Sequence, residues 1–560
     1  INSSTESTTD SINELFSQAA FFSGNREFVL KLEAISELIN LGLFERAKQE
    51  IERINASDSF ELDARLNYLL LNAQIAEVES QPEIALRWLE NPLTEKVDPL
   101  SKIGREILLL KGQTYLTLNQ PELALIVFTE ISESWPTETE TTLYEDLWLS
   151  LQNVDESRLP IIAEQSTSYE LRGWIELSRA FRSEETSIKR QIDAIDLWRR
   201  TWVRHSAAIR LPKPLRDLQD FWVKRPVDIA LILPILQPAG NAIYEGFLSA
   251  YYQELLVSQE VPRVSIYDSS EVNNITEIYE KAVSDGAELI IGPLKKSLVN
   301  QLQEQGELPV STLALNYADN PSSDSRLYHF GLAPEDEIRE VINIAWMDGH
   351  RTAAILMPEI GDYQELQKFF EHSWSKKGGQ VVSRVNFHEG SNYAEIVKKL
   401  MAIDTSEVRA EKLLNLLPRR NMEFTPRTRK DVDFIFLVAN PNEGRQIKPT
   451  LAFYFAEDIP VYSIPSIYEG IENPAENRDL DGIIFPDAPW VLGPKTDLNR
   501  SVDEDLRQVT GPLRRLRAMG IDSFRLYPRL RQFNSGSMKI LQGATGQLFI
   551  GENQNFRRKL

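Results

Sequence analysis

The chain has 560 residues and an ordinary globular composition, with 42% apolar and 26% charged side chains. This length predicts three or four domain-sized units, or two if they are large. The net charge of -22 argues against nucleic acid or an anionic membrane surface as the main partner, because both attract clustered Lys and Arg. Cysteine is absent, which excludes disulfides, thiolate catalysis and cysteine zinc sites within this chain.

The first eleven residues are polar and rich in Ser and Thr. Such a stretch buries too little apolar surface to fold alone, so we expect a disordered tether over residues 1–11. The best apolar run, residues 229–236, is far shorter than the ~20 residues of a membrane helix and contains Pro234. It predicts a buried strand in a soluble chain.

Residues 12–211 carry a repeat with a period of 38 or 39 residues. Each copy pairs a small residue in one helical stretch with an alanine in the next: Ala34 with Ala47, Ala73 with Ala85, and Gly112 with Ala124.

A small residue lets two helices approach closely, and Pro82 and Pro121 suit the first turn of a second helix. The pattern predicts three helix-turn-helix hairpins that stack into a solenoid. Gly112, Tyr115 and the segment Gln120-Pro121-Glu122-x-Ala124-x-x-x-Phe128 resemble the tetratricopeptide repeat (TPR), although the period exceeds its usual length. The alternative is an irregular helical domain. Further helices are predicted around four tryptophans that we expect to serve packing and not a ligand cage: Trp148, Trp174, Trp198 and Trp202.

The composition changes at residues 212–225, where closely spaced prolines predict a linker. Beyond it, short apolar runs alternate with helical stretches over residues 226–560, which predicts βαβ units and parallel sheets in two α/β lobes. The expected strands are residues 227–233, 264–267, 289–291, 353–357, 381–385, 434–438, 460–464 and 482–485.

Several motifs of this region resemble type I periplasmic-binding-protein domains, in family order. Residues 228–250 resemble the opening strand, loop and helix, and residues 290–294 the third strand and its loop. Residues 313–316 and 330–337 resemble the passage toward the second lobe, and residues 541–548 a late motif. The resemblance implies a multidomain chain, with an N-terminal all-α TPR-like solenoid and a C-terminal bilobed α/β domain of the periplasmic-binding-protein type.

This pairing of domains resembles the LpoA family, outer-membrane lipoproteins that activate a class A penicillin-binding protein. The resemblance implies a non-enzymatic regulator of peptidoglycan synthesis that supports cell-wall growth and cell shape. It also implies a lipidated cysteine just before this chain, which would anchor it on the periplasmic side of the outer membrane. The partner would then be a peptidoglycan synthase.

Motifs for catalysis are missing from the sequence. Neither H-E-x-x-H nor G-x-S-x-G occurs, so we expect no catalytic residues, cofactor or metal site. Residues 543–547 predict a turn, not a phosphate loop. Asp479 and Asp481 predict a solvated loop in preference to a metal pair. The basic cluster Arg514-Arg515-Leu516-Arg517 predicts either a solvated face or a docking spot for an acidic patch.

A cleft between the lobes remains as the candidate site, because ligands of α/β sheets bind beyond the carboxyl ends of strands. Amino-acid-binding relatives place Ser or Thr in the first and third-strand loops, where this chain has Pro-Ala-Gly and Pro-Leu. This favours a degenerate cleft or one with an unknown ligand over an amino-acid site. The candidate residues are Pro238, Ala239, Gly240, Asn241, Gly292, Pro293, Leu294, Asn316, Asp362, Tyr363 and Tyr468.

Three functional hypotheses follow from the sequence. The leading one is the synthase activator, whose bilobed domain contacts the enzyme. The second is a solute-binding or ligand-sensing periplasmic lipoprotein. The third, a peptidoglycan-processing enzyme, lacks a catalytic constellation in the sequence.

Overall fold

The computed structural model describes residues 2–134, 142–183, 187–320, 326–361, 363–416 and 427–560. The chain divides into a helical unit, Ile1–Asp220, and a bilobed unit, Phe221–Leu560. The helices of the first unit, the last of which continues into the second, are α1 (Asn2–Ala19), α2 (Asn25–Asn40), α3 (Phe44–Glu52), α4 (Leu62–Val78), α5 (Pro82–Leu89), α6 (Lys102–Thr117), α7 (Pro121–Ser134), α8 (Leu143–Asn153), α9 (Leu159–Gln165), α10 (Tyr169–Ser183), α11 (Ile188–Thr201), α12 (Ser206–Ile209) and α13 (Lys213–Val223).

The predicted hairpins are present as α2–α3, α4–α5 and α6–α7, each packed against the next. The small residues that predicted them lie in the core, where the five alanines are each 0% exposed and Gly112 is buried. A Cβ at Gly112 would lie 2.4 Å from Cε1 of Phe128, so this position needs glycine for the two helices to meet.

The turn inside each hairpin has one backbone geometry. Gly42, Ser80 and Asn119, which repeat at the same spacing, have φ of 74°, 59° and 57°. The residue after each donates its N–H back into the helix, with Leu43 N to Leu38 O at 2.8 Å in the first copy. This is the Schellman ending of a helix, and its repetition confirms the period at the level of the backbone.

The later helices of this unit meet around aromatic side chains, which confirms the packing role predicted for the tryptophans. The ring of His205 lies edge-on to those of Trp174 and Trp198, with centroids 5.4 and 5.0 Å apart. Trp148 packs edge-on against Phe181 at 5.2 Å. Burial lowers the pKa of His205, and its Nε2 lies 2.8 Å from the Glu170 carbonyl oxygen.

Two sequence-based boundaries need correction. Residues 2–11, expected to be a disordered tether, belong to α1, whose later residues Ile12 and Ala19 are buried. An apolar face farther along the helix anchors it against α2, and the polar stretch continues the same helix. The expected linker, residues 212–225, contains α13, and the division between the units falls within that helix. Pro214 is tolerated there because it lies in the first turn, where the amide donor has no helical partner.

The bilobed unit contains two sheets in its described residues. The strands are β1 (Asp228–Leu233), β2 (Arg263–Asp268), β3 (Leu289–Ile291), β4 (Ser311–Ala314), β5 (Leu327–Phe330), β6 (Thr352–Pro358), β7 (Gln380–Phe387), β8 (Phe434–Leu437), β9 (Val461–Ser463), β10 (Ile483–Ile484), β11 (Leu541–Gln542), β12 (Gln547–Ile550) and β13 (Asn555–Lys559). The first has the order β11-β12-β13-β5-β4-β3-β1-β2, and the second the order β10-β9-β8-β6-β7. Each predicted strand has its counterpart here within two residues at either end.

Helices cover both faces of each sheet. They are α14 (Pro238–Leu255), α15 (Thr276–Ser284), α16 (Lys296–Glu304), α17 (Pro334–Met347), α18 (Tyr363–Lys376), α19 (Tyr393–Leu400), α20 (Ile403–Leu416), α21 (Pro441–Phe453), α22 (Pro474–Asn477), α23 (Pro489–Leu492), α24 (Asp497–Asp505), α25 (Pro512–Leu526) and α26 (Leu530–Asn534). Alternate residues of β1 show the layering: Ile229 and Leu231 pack with α14 and α25, while Ala230 and Ile232 pack with α15 and α16. Burial on both faces explains the continuous apolar strands of the sequence.

The chain passes from the first sheet to the second after β5 and returns after β10. Residues 334–484 therefore form the second lobe, and the first lobe is assembled from residues on both sides of it. The late strand β13 pairs in parallel with β5, and its partner β12 is antiparallel to it. The two lobes are therefore connected by the segment after β5 and the segment after β10.

Candidate functional site

The candidate residues of the first lobe lie along one edge of its sheet. β1, β3 and β4 are parallel neighbours, so their carboxyl ends meet at the same edge. Pro238 to Asn241 form the first turn of α14 after β1, Gly292 to Leu294 follow β3, and Asn316 follows β4. The Nδ2 of Asn316 donates to the Leu294 carbonyl at 3.0 Å, so the structure brings these loops together.

The two glycines of this edge serve close packing. A Cβ at Gly240 would lie 2.2 Å from the Pro234 carbonyl oxygen, and one at Gly292 would lie 2.0 Å from that of Ile232. Gly292 also has a φ of +108°, which disfavours other residues. The two glycines therefore let α14 and the loop after β3 contact the end of β1 directly.

The polar groups of this edge bond to one another. Asn241 donates to Glu245 at 2.9 Å, and Lys295 Nζ donates to the Ser270 carbonyl at 2.8 Å. The hydroxyl of Ser270 donates to Asp268 at 2.6 Å and accepts from the Leu236 amide at 3.1 Å. These donors are occupied within the protein, while the side chain of Leu236 is 77% exposed.

The second-lobe candidates also lie at the carboxyl edge of their sheet. Tyr363 begins α18 after β6, and Tyr468 follows β9; Asp362 lies outside the described residues. Asn440, which precedes α21, accepts from the Glu443 amide at 3.0 Å, and the Glu443 carboxylate accepts from the Asn440 amide at 2.8 Å. This reciprocal pair is a capping box, so Asn440 serves the start of its helix.

One lysine at the first-lobe edge interacts with acidic groups of both lobes. Lys296, at the start of α16, lies 2.7 Å from a carboxylate oxygen of Asp319. This bond raises the pKa of Lys296, and Glu365 of α18 and Glu335 of α17 raise it further across the opening. Among the described residues, no hydrogen bond joins a first-lobe candidate to a second-lobe candidate.

A buried ion pair at the junction of the lobes was missed by the sequence analysis. Arg515 of α25 donates from Nε to Asp487 at 2.8 Å, and its Nη2 contacts the other carboxylate oxygen. The same Nη2 donates to the backbone carbonyls of Pro465 at 2.9 Å and Tyr468 at 3.0 Å. One guanidinium thus ties a first-lobe helix to the segment that carries Tyr468.

A second buried pair lies where the chain enters the second lobe. Arg558 of β13 contacts Glu337 of α17 at 3.4 Å and donates to the Ala333 carbonyl at 3.4 Å. Burial raises the pKa of Glu337 to about 7, while Arg558 and Arg515 oppose that rise. The pair fixes the first turn of α17 against the last strand of the first sheet.

The basic cluster in α25 corrects one expectation. Arg514, Arg515 and Arg517 are 8%, 7% and 3% exposed, and they contact Asp503, Asp487 and Glu245 within the unit. The prediction of a solvated face or docking spot at residues 514–517 is therefore wrong. The run of apolar and small residues that follows in the sequence, residues 518–521, was the signal for a buried helix.

The predicted turn at residues 543–547 is confirmed between β11 and β12. The carboxylate of Asp522 accepts from the Ala544 and Thr545 amides at 2.6 and 2.7 Å and from the Thr545 hydroxyl at 2.7 Å. The turn is thus held by a buried acid of α25. Within the described ranges, no group of three His, Asp or Glu side chains is arranged to share a metal ion.

The chain matches a known protein family over nearly its whole length. A family model described as "LppC putative lipoprotein" matches residues 6–560. The chain belongs to the LppC family. None of the helices in the described part of this LppC chain is both long enough and apolar enough to cross a membrane.

Curated relatives match most of the chain. A protein of Photobacterium profundum named "Penicillin-binding protein activator LpoA" is 25% identical over 80% of this chain and 73% of its own length. A protein of the same name from Vibrio antiquarius is 22% identical over 99% of this chain and 92% of its own.

A solved structure shows the same fold over both units. LpoA of Haemophilus influenzae aligns with a TM-score of 0.57 at 20% identity, covering 98% of this chain and 95% of that one. The similarity confirms the expected arrangement of an N-terminal helical domain before a bilobed α/β domain.

Proposed function

We propose that this LppC-family chain is a non-enzymatic activator of a class A penicillin-binding protein. The observation that carries the proposal is the full-length match to relatives named as penicillin-binding protein activators, which extends over 99% of the chain in one case. We place the protein on the periplasmic side of the outer membrane, held by a lipid anchor outside this sequence. In this role it supports peptidoglycan synthesis, cell-wall growth and cell shape.

The state of the cleft supports a protein partner over a small polar ligand. The donors of the first-lobe edge are paired internally, and a ligand would have to break those bonds to be recognised. Two apolar side chains, Leu236 and Ile360, are 77% and 63% exposed at the two carboxyl edges. We assign the candidate cleft residues to shaping these edges for protein contact.

Activation requires that the chain bind one conformation of the synthase more tightly than another. The buried pairs Arg515–Asp487 and Arg558–Glu337 join first-lobe elements to the segments that lead out of and into the second lobe. The bilobed unit therefore offers the synthase a preorganised surface. The helical unit, Ile1–Asp220, acts in this proposal as a stalk or a second docking surface.

The test is a reconstituted reaction. The full chain and a class A penicillin-binding protein from the same organism are combined with lipid-linked precursor, and glycan polymerisation and crosslinking are measured. We expect stimulation by the folded chain and none by the chain after heat denaturation. Absence of both stimulation and binding in a pull-down would overturn the proposal, and loss of polymer with the chain alone would indicate a hydrolase.

The solute-binding alternative has one observation in its favour, the loops and helix starts that follow the carboxyl ends of parallel strands in both sheets. It predicts that amino acids or cell-wall peptides raise the melting temperature, because a ligand that binds the native state stabilises it. A rise that depends on ligand concentration, with no stimulation of the synthase, would favour this alternative.

A further inference from the structure

The end of α21 carries two phenylalanines that the fold leaves in solvent. Phe453 and Phe455 are 76% and 62% exposed, whereas Ile447 and Leu451 of the same helix are fully buried. Tyr454 between them packs on the second-lobe core, and its ring lies edge-on to that of Phe453 at 5.0 Å. The half-buried tyrosine thus anchors the segment from which both phenyl rings project.

Phe455 also has an unfavourable backbone conformation. Its φ of +62° lies in the left-handed region, where glycine is preferred. The bonds from Phe455 N to Ala452 O at 3.1 Å and from Ala456 N to Leu451 O at 2.9 Å give it the position that glycine usually takes at a helix end. An exposed phenyl group there costs roughly 1 kcal/mol and gains little burial, so folding does not explain it.

Two exposed acidic residues, Glu457 and Asp458, follow the phenylalanines in the chain. The nearby cation, Lys398 of α19, lies 5.7 Å from the Tyr454 ring and is paired with Glu407 of α20 at 3.2 Å. Glu457 and Asp458 therefore give the end of α21 two exposed negative charges.

The neighbouring helix α20 continues the same character. Val408 and Leu414 are 50% and 43% exposed and line a cavity of about 620 Å³ together with Glu407 and Glu411. The Glu407–Lys398 pair joins this helix to the end of α21. Exposed apolar and acidic side chains thus lie beside one another on α20, together with the exposed cations Arg409 and Lys412.

We propose that the phenylalanine surface, consisting of Phe453, Phe455, Glu457 and Asp458, is a docking site for the penicillin-binding protein. The partner it fits has an apolar pocket for the two rings with a rim of Lys or Arg. A second copy of this chain fits poorly, because the chain carries a net charge of -22 and the same acidic rim would face itself. The inference rests on the proposed function and assigns its contact to the second lobe.

Phe455→Gly separates docking from folding, because glycine suits the backbone at this position. We expect the melting temperature of Phe455→Gly to equal or exceed that of the unmodified chain. Binding of the full chain to the immobilised synthase should weaken about tenfold, and more in Phe453→Ala/Phe455→Gly, as for aromatic anchors of interfaces. Leu256→Ala, which removes an 88% exposed side chain from the first lobe, is the matched control and should bind normally.

Charge reversal gives an independent measurement. Glu457→Lys/Asp458→Lys should slow association with the synthase and weaken its dependence on salt, because rim charges steer encounter. Unchanged affinity in both the phenylalanine and the charge variants, while the unmodified chain still binds and stimulates, would overturn this surface and leave the proposed function intact. If the unmodified chain neither binds nor stimulates, the proposed function and this surface fail together.

Discussion

The helical unit and the bilobed unit are stabilised in different ways. In the hairpins, partners are close in sequence, and small residues such as Ala73 and Gly112 bring helices together without buried charge. At the lobe junction, Arg515 and Arg558 reach buried acids 28 and 221 residues away. The hairpins therefore depend on side-chain volume, whereas the junction depends on paired charge.

The largest expected effect comes from breaking the junction at Arg515. In Arg515→Met, the carboxylate of Asp487, 0% exposed in its side chain, loses its cation, and we expect the bilobed unit to lose about 3–5 kcal/mol. Urea titration of the full chain, followed by hydrogen exchange on peptides from each unit, measures this loss. Arg500→Ala, which removes an exposed pair with Asp497, is the control and should cost less than about 1 kcal/mol. A comparable loss in both variants would contradict the importance of burial.

The second prediction concerns pH and Glu337. Its pKa is about 7 in the fold and 4.5 as the ordinary value, so between these pH values the folded chain keeps a proton that the unfolded chain releases. The stabilisation from this retained proton is fully present below pH 4.5 and is lost as the pH rises through 7. The free energy of unfolding falls by up to about 3 kcal/mol over this range. Glu337→Gln should remove this slope in exchange-resolved unfolding of the bilobed unit. An unchanged slope would show that Glu337 is already ionised in the fold.

In the helical unit, the corresponding variant increases side-chain volume where two helices meet. Gly112→Ala places a methyl group against the ring of Phe128, and we expect a loss of about 1–3 kcal/mol in the helical unit alone. Phe128→Leu in the same chain should recover part of it. Stabilisation by Gly112→Ala, as helix propensity alone predicts, would show that the two helices have room to separate.

The smallest expected effect is at the hairpin turns. Ser80→Gly should stabilise the helical unit by about 0.5–1 kcal/mol, because Ser80 has a φ of +59°. Gly42→Ser, at the equivalent position of the first hairpin, should destabilise by a similar amount. Thermal unfolding of both variants measures the pair, and shifts of equal sign would contradict a shared turn geometry.

The sequence predicted features that depend on local pattern. The hairpins followed from the spacing of small residues, and buried strands such as β3 from continuous apolar runs. The turn residues Ser80 and Asn119 escaped notice because neither is glycine, although both occupy its usual conformation.

The junction could not be predicted from local pattern, because its partners are distant in sequence. Nothing near Arg558 in the chain indicates Glu337, and the basic run around Arg515 carries no local signal for Asp487. For the cleft, the sequence placed the loops at the correct strand ends. It did not reveal that Asn316 and Asn440 are used by the protein's own backbone.

The position of β13 in the first sheet has a consequence for the order of folding. A chain synthesised from its N-terminus can form the hairpins as they emerge, because their contacts are local. The first lobe must wait, since β13 completes its sheet beside β5 and is the strand that carries Arg558. Until that strand arrives, β5 presents an unpaired edge and Glu337 lacks its cation, so the incomplete first lobe is open to edge-to-edge association with other chains.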